Sequence, residues 1–132
     1  MILPVKTHSR TEMIDITDDV QAALREAGVR DGFCMVFVPH TTAAVTINEN
    51  ADPTVRDDFE AYFDRAVPEN EPYFLHATEG PDDMPAHIRS IITHADLNLP
   101  IRNGRCDLGT WQGVYLWEHR HHVGSRQVVV HL

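Results

Sequence analysis

The sequence predicts an α+β domain with a largely antiparallel sheet, two main helices and one short helix. Three observations carry this prediction. Strand-like and helix-like periods follow one another as strand–helix–strand–strand–helix–loop–helix–strand–strand–strand, not as the regular alternation of a doubly wound parallel fold. The 132 residues contain no linker, low-complexity tract or internal repeat, so they read as one compact domain, residues 1–132. Hydrophobic residues make up 42% and charged residues 23%, so the chain can bury a core without a disulfide or a metal to help it fold.

The elements follow in order. Thr11–Thr17 alternates, with Ile14 and Ile16 on one face and Asp15 opposite, as a strand does. Thr17 then caps a helix in which Val20, Ala23, Leu24 and Ala27 keep helical spacing, and Gly28 stops it. Phe33–Pro39 is apolar and β-branched, a buried strand, and Ala43–Asn48 is the next. Asp52-Pro53 marks a second helix, with Asp52 as N-cap and a core face of Val55, Phe59, Tyr62, Phe63 and Ala66. Pro68 to Asp83 holds three prolines, one glycine and several acids and reads as a long loop. Pro85–Thr93 is a short helix with Ile88, Ile91 and Ile92 inward. Leu97–Ile101 is a strand, closed by an Asn-Gly turn at Arg102–Arg105. Val114–Glu118 and Gln127–Leu132 are the last strands. Val114-Tyr115-Leu116-Trp117 is apolar on both faces, which calls for a helix or another subunit on its second side.

Composition limits the functions available. A net charge of −9 argues against duplex nucleic acid as a partner, yet a few arginines and backbone N–H groups can still hold a small anion. The N-terminus shows no signal-peptide pattern, and no apolar run approaches the roughly 20 residues of a membrane span, so no membrane partner is expected. Cys34 and Cys106 form no CxxC pair; Cys34 reads as a small buried hydrophobe, and a reduced, cytoplasmic setting is expected.

Four segments could carry chemistry. His40 stands where a buried strand ends, a rigid platform for a ligand or base, and Thr41, Thr42, Asn48, Glu49 and Asp52 surround the next strand. Turn formation explains His40, Thr41 and Thr42 equally well, and Asp52 reads well as a plain N-cap, whereas Glu49 is an unusual turn residue. Nine histidines are many for this length. His119-Arg120-His121-His122 reads as a solvated turn, while His40, His76 and His87 come from separate elements and could form an open metal site. Leu108-Gly109-Thr110-Trp111-Gln112-Gly113 could bind an anion through successive N–H groups and the Thr110 hydroxyl, or be a tight turn with Trp111 in the core. Glu118 ends an apolar strand and needs a partner; a cross-strand pair with Arg126 accounts for both.

Residues 40–53 (His-Thr-Thr-Ala-Ala-Val-Thr-Ile-Asn-Glu-Asn-Ala-Asp-Pro), the stretch from Tyr73 through Glu79-Gly80-Pro81-Asp82-Asp83-Met84-Pro85-Ala86-His87-Ile88, the Leu108–Gly113 loop and Gly124-Ser125-Arg126 together resemble the YjbQ-like family, the secondary thiamine-phosphate synthases. The likeness covers nearly the whole chain in the same order. It departs at residues 92–96, where the family is rich in small residues, and at Val123 and Ser125, where the family has an acid and a proline.

The resemblance implies a compact α+β domain assembled as a homotrimer. It implies polar pockets containing His40, Asn48, Glu49, Asp52 and His87, with the Gly109–Gly113 loop nearby. It also implies a low-level thiamine-phosphate synthase activity, in which an aminopyrimidine diphosphate joins a thiazole phosphate and diphosphate leaves. Thr41, Thr42, Gly109, Thr110, Gln112 and Arg126 are then the expected anion contacts. Two sets compete for the divalent metal: Glu49 and Asp52 for Mg²⁺, or His40, His76 and His87 for Zn²⁺. Two rival expectations stand beside the synthase: a metal-dependent hydrolase of a small phosphorylated or amide compound, and a non-catalytic trimer that binds a small anion.

Overall fold

A computed structural model describes residues 1–8, 12–121 and 124–132. Its elements are β1 (Ile2–Lys6), β2 (Met13–Asp15), α1 (Thr17–Ala27), β3 (Gly32–Phe37), β4 (Ala43–Glu49), α2 (Thr54–Ala66), α3 (Asp83–Ile92), β5 (Asp96–Arg102), β6 (Arg105–Cys106), β7 (Gln112–Glu118) and β8 (Ser125–His131). One sheet runs β1-β8-β3-β5-β6 and the other β2-β7-β4, and every pairing is antiparallel. The predicted α+β class is therefore correct. Thr11, the first residue of the predicted first strand, lies outside the described residues, as do His122 and Val123.

The core lies between the two sheets and under α1. Val20, Ala23 and Leu24 of α1 pack with Val36, Val45, Leu116 and Val128, all buried. Gly28 ends α1 at φ +70°, a left-handed position that glycine takes at little cost. Thr17 opens the helix without capping it. Its hydroxyl donates to Asp15 and accepts the Val114 N–H, tying α1 to β7. Asn103 and Gly104, at φ +52° and +77°, make the tight turn between β5 and β6 that the Asn-Gly pair predicted.

β7 is buried on both faces because α2 covers the outer one. Val114 and Leu116 enter the core, while Trp117 packs against Phe59 and Phe63 at ring-centroid distances of 6.0 and 5.2 Å. Arg56 of α2 donates to the Tyr115 hydroxyl at 2.9 Å.

Several local expectations are corrected. Helix α2 buries none of its residues fully, and Tyr62 is exposed; Phe59 and Phe63 meet Trp117 of the sheet and Arg56 meets Tyr115. Asp52 is not the N-cap; it precedes Pro53 and accepts from the Thr54 N–H and hydroxyl as an Asx turn. Helix α3 starts at Asp83, two residues early, and turns Asp83, Pro85, Ala86 and Arg89 inward; Ile91 is 83% exposed. Trp111 is exposed, not core. Cys34 is buried as expected. Among the described residues, no helix is long and apolar enough to cross a membrane.

Candidate metal centre

Three ligand atoms converge at the start of α3. His76 Nε2 lies 2.7 Å from Asp83 Oδ2, and His87 Nε2 lies 3.2 Å from the same oxygen. The two imidazoles meet edge to face, 5.3 Å between centroids. All three ligand atoms fall within 4.8 Å of one another. Asp83 and His87 share a helix face because they are four residues apart. His76 comes from the preceding loop.

That loop is held by local chemistry. Gly80 sits at φ +103°, where a Cβ would also approach Asp82 Oδ1 to 3.1 Å. Asp82 then accepts from Arg120 Nε at 3.2 Å and from the His121 N–H at 2.9 Å. Burial alone would raise the Asp82 carboxyl; the His121 N–H and the Arg120 guanidinium outweigh it and hold the acid below its ordinary range. Arg120 also donates to the Glu79 carbonyl at 2.8 Å and stands 3.4 Å from Asp83 Oδ1. Asp83 is thereby fixed on one oxygen by a cation and offers the other to the imidazoles. The predicted solvated turn at His119–His122 is corrected: His119 is buried, and Arg120 and His121 are bound to Asp82, Asp83 and Glu69.

The cluster opens into a cleft of about 780 Å³ lined by His40, Thr41, His76, Met84, His87, Ile88, Ser90, Ile91, Thr93 and Ala95. His40 shares this cleft but stands outside the three-ligand group. Its Nε2 accepts the Gln127 N–H at 2.9 Å, so the proton of the neutral ring is on Nδ1. Burial, and then the Arg126 guanidinium, lower the His40 pKa and keep the ring neutral at pH 7. Behind the cleft, the Thr93 hydroxyl donates to the Arg89 carbonyl at 2.7 Å and faces His119 Nε2 at 3.2 Å.

Arg126 reaches neither the cleft nor solvent. Its Nε and Nη2 donate to the two Glu118 oxygens at 2.9 and 2.6 Å, and Nη2 also donates to the Thr42 hydroxyl at 2.8 Å. Glu118 and Arg126 do pair, but not as neighbours across a hairpin: β7 and β8 lie in different sheets, so the ion pair bridges the two sheets, and it occupies Thr42 and Arg126, two residues expected to hold an anion.

The remaining candidates gather elsewhere. Glu49 Oε2 accepts the Asp52 N–H at 3.1 Å, and Asn48 Oδ1 accepts the Glu49 N–H at 2.8 Å. Thr54 holds the Asp52 carboxyl below its ordinary range. Gln112 pairs with Glu49 in the β4–β7 ladder, and its side chain accepts the Gly109 N–H at 2.8 Å, which folds the Gly109–Thr110–Trp111 turn beside them. This group lies at the far end of β4 from His40 and Thr42. Seven residues of strand separate the two ends, about 20 Å. The sequence-derived set therefore divides into two constellations within one chain.

Sequence reasoning omitted Asp83, assigning it to the end of a loop. The signal that could have found it is the Asp83–His87 spacing of four, once the helix is started at Asp83.

An α+β chain with two antiparallel sheets and a His-Asp-His cluster at a cleft is the class that the fold and site define. The family model described as "UPF0047 protein YjbQ-like" matches residues 1–132, and the chain belongs to that family. It is 47% identical over 131 residues to the UPF0047 protein sll1880 of Synechocystis sp., covering 99% of this chain and 88% of that protein. It is 47% identical over 118 residues to the UPF0047 protein YjbQ of Salmonella typhimurium, covering 89% of this chain and 85% of that one. A crystal structure of an uncharacterized YjbQ/UPF0047 protein from Clostridium acetobutylicum superposes with a TM-score of 0.89 at 39% identity, covering 98% and 97% of the two chains.

Proposed function

We propose that the cleft is the active site of a metal-dependent enzyme acting on a small phosphorylated or amide compound, with His76, Asp83 and His87 as the metal ligands. The observation that carries this reading is the convergence of two imidazole nitrogens and one buried carboxylate oxygen within 4.8 Å at the mouth of the cleft. The donor set fits the ion: two nitrogens and one oxygen suit Zn²⁺ better than Mg²⁺, which favours oxygen ligands and keeps its waters. When bound, such an ion would polarise a substrate oxygen and lower the pKa of a water.

The chain's own residues would do the rest. Asp83, braced by Arg120 on Oδ1, presents Oδ2 toward the site of the ion. His40 carries its proton on Nδ1, and its Nε2 is anchored by the Gln127 N–H, so the ring can donate an Nδ1–H hydrogen bond to a bound substrate without reorienting. Met84, Ile88 and Ile91 give the cleft an apolar wall, while the Ser90 and Thr93 hydroxyls are held by the Ala43 and Arg89 carbonyls. The test is metal-dependent turnover of a panel of small phosphate esters and amides by the purified protein, lost in His87→Ala. Zinc binding without turnover on any substrate would favour the non-catalytic reading.

A second reading is favoured by the other constellation. Glu49 and Asp52 are the groups expected to hold Mg²⁺ in a thiamine-phosphate synthase, and the Gly109–Thr110 turn beside them is the part expected to hold diphosphate. A homotrimer, implied by the family resemblance, belongs to this reading. Identical contacts repeated around a ring can set one subunit's Glu49 end against the next subunit's histidine cleft. The exposed Tyr62, Tyr73, Leu75 and Ile91 support such contacts. Synthase activity regained on mixing inactive Glu49→Gln and His87→Ala subunits would support this reading; no thiamine phosphate from the wild type with both substrates and Mg²⁺ would end it. Two free cysteines fit the reduced, cytoplasmic setting of either reading.

A further inference from the structure

A second concavity lies far from the histidines. Its volume is about 570 Å³, and Arg25, Arg30 and Arg105 line it together with Leu24, Val29 and Gly104. It is assembled by the docking of the β5–β6 hairpin onto the end of α1. Gln21 holds the hairpin with both amide atoms, donating to the Gly104 carbonyl at 2.8 Å and accepting the Cys106 N–H at 3.1 Å. Gly104 N–H donates to the Arg30 carbonyl at 2.8 Å, which closes the wall.

The charge pattern there is unusual for this chain. With a net charge of −9, acids are in excess and most arginines have a use. Arg89, Arg102, Arg120 and Arg126 pair with carboxylates, Arg56 binds Tyr115, and Arg65 caps a carbonyl. Arg25, Arg30 and Arg105 have no carboxylate partner among the described residues. The nearby acids are engaged: Asp31 accepts the Asn103 N–H at 3.3 Å, and Asp107 pairs with Arg102 at 2.8 Å. Around this concavity the backbone N–H groups of Gly28, Gly104 and Cys106 are also satisfied. The guanidinium groups are what it offers, and guanidinium matches a phosphate through paired N–H donors.

We propose that this pocket binds a small phosphate monoester, with Arg25, Arg30 and Arg105 on the phosphate and Val29 against the organic part. The volume suits a metabolite-sized ligand and is larger than a bare inorganic ion requires. The pocket is separate from the cleft. β3 and β5 run antiparallel, with Gly32 opposite Ile101 at the arginine end and Phe37 opposite Asp96 at the cleft end. The two sites are thus about 20 Å apart along the same strand pair.

The test is an amide-resolved NMR titration of the full chain with glycerol phosphate and, separately, inorganic phosphate, at constant ionic strength. Saturable shifts are expected at Gly28, Arg30 and Gly104, with glycerol phosphate binding more tightly than inorganic phosphate. Arg30→Gln and Arg105→Gln should each weaken binding about tenfold, and Arg105→Lys less, since lysine keeps the charge but not the fork. His87→Ala should leave the affinity unchanged, which separates this site from the cleft. Shifts that fail to saturate, that centre on His40 and Thr93, or that survive both glutamine substitutions would overturn the proposal.

Discussion

His87 Nε2 lies 3.2 Å from Asp83 Oδ2, one helical turn away, and His76 Nε2 approaches the same oxygen at 2.7 Å. One carboxylate oxygen thus faces two imidazoles, and the proposed metal site rests on this arrangement. Asp83→Asn keeps the shape and removes the charge. It should lower Zn²⁺ affinity by more than the about 10–100-fold typical of losing an outer-shell partner. Isothermal titration of the metal-free variant checks this, with circular dichroism to show that the fold is kept.

Arg120 joins the Glu79 carbonyl, Asp82 and Asp83 into one unit. Arg120→Gln should destabilise the chain by about 1–2 kcal/mol, since the guanidinium is partly solvated and each charged hydrogen bond contributes modestly. It should also weaken metal binding, because the loop that carries His76 loses its brace. Urea unfolding and metal titration of the same variant read the two effects separately.

Glu118 and Arg126 form a buried, two-pronged pair, 2.6 Å at its shorter contact. Arg126→Met leaves a carboxylate buried beside Thr42 and should cost about 3–5 kcal/mol. The double variant Glu118→Leu with Arg126→Met should recover most of that loss, because no unpaired charge remains. Chemical denaturation of both variants decides whether the pair stabilises this site by its presence or only penalises its own disruption.

His119 is buried against Trp117 with Nδ1 unpartnered among the described residues, and burial, Arg89 and Arg126 push its pKa down to about 3. The unfolded chain binds this proton near pH 6.5 and the folded chain does not, so the unfolded state gains protons first on acidification. The contribution is fully present above pH 6.5 and is lost as pH falls from there toward 3. The slope added by this one group approaches about 1.4 kcal/mol per pH unit. His119→Phe should flatten the stability profile between pH 6 and 4 relative to the wild type, as followed by thermal unfolding across pH (about one proton's worth of slope).

Much of the fold could be read from the residue pattern, and the exceptions have physical causes. α1, β3, β4 and β7 follow their hydrophobic periods because they form the core. β1 was not anticipated: it carries Pro4, which only an edge strand tolerates, and its partner β8 is far away in sequence. β6 is two residues long and too short to show a period. In α3 the periodicity pointed Ile88, Ile91 and Ile92 inward, whereas the buried face holds Asp83, Ala86 and Arg89. A helix that turns charged groups inward contradicts binary patterning, and such contradictions concentrate where a site is built. The same cause hid Asp83 from the ligand set. The motif residues themselves were legible, but one strand placed His40 and Glu49 at its two ends, a separation that spacing in sequence does not reveal.

The most direct test of the metal centre is elemental analysis of the purified protein, combined with zinc titration of protein stripped by chelator. The account predicts one Zn²⁺ per chain in the wild type, a rise in thermal stability on rebinding, and loss of both in the double variant His76→Ala, His87→Ala. A double variant that still binds one Zn²⁺ per chain with wild-type affinity, or a wild type that is not stabilised by zinc at any concentration, would contradict it.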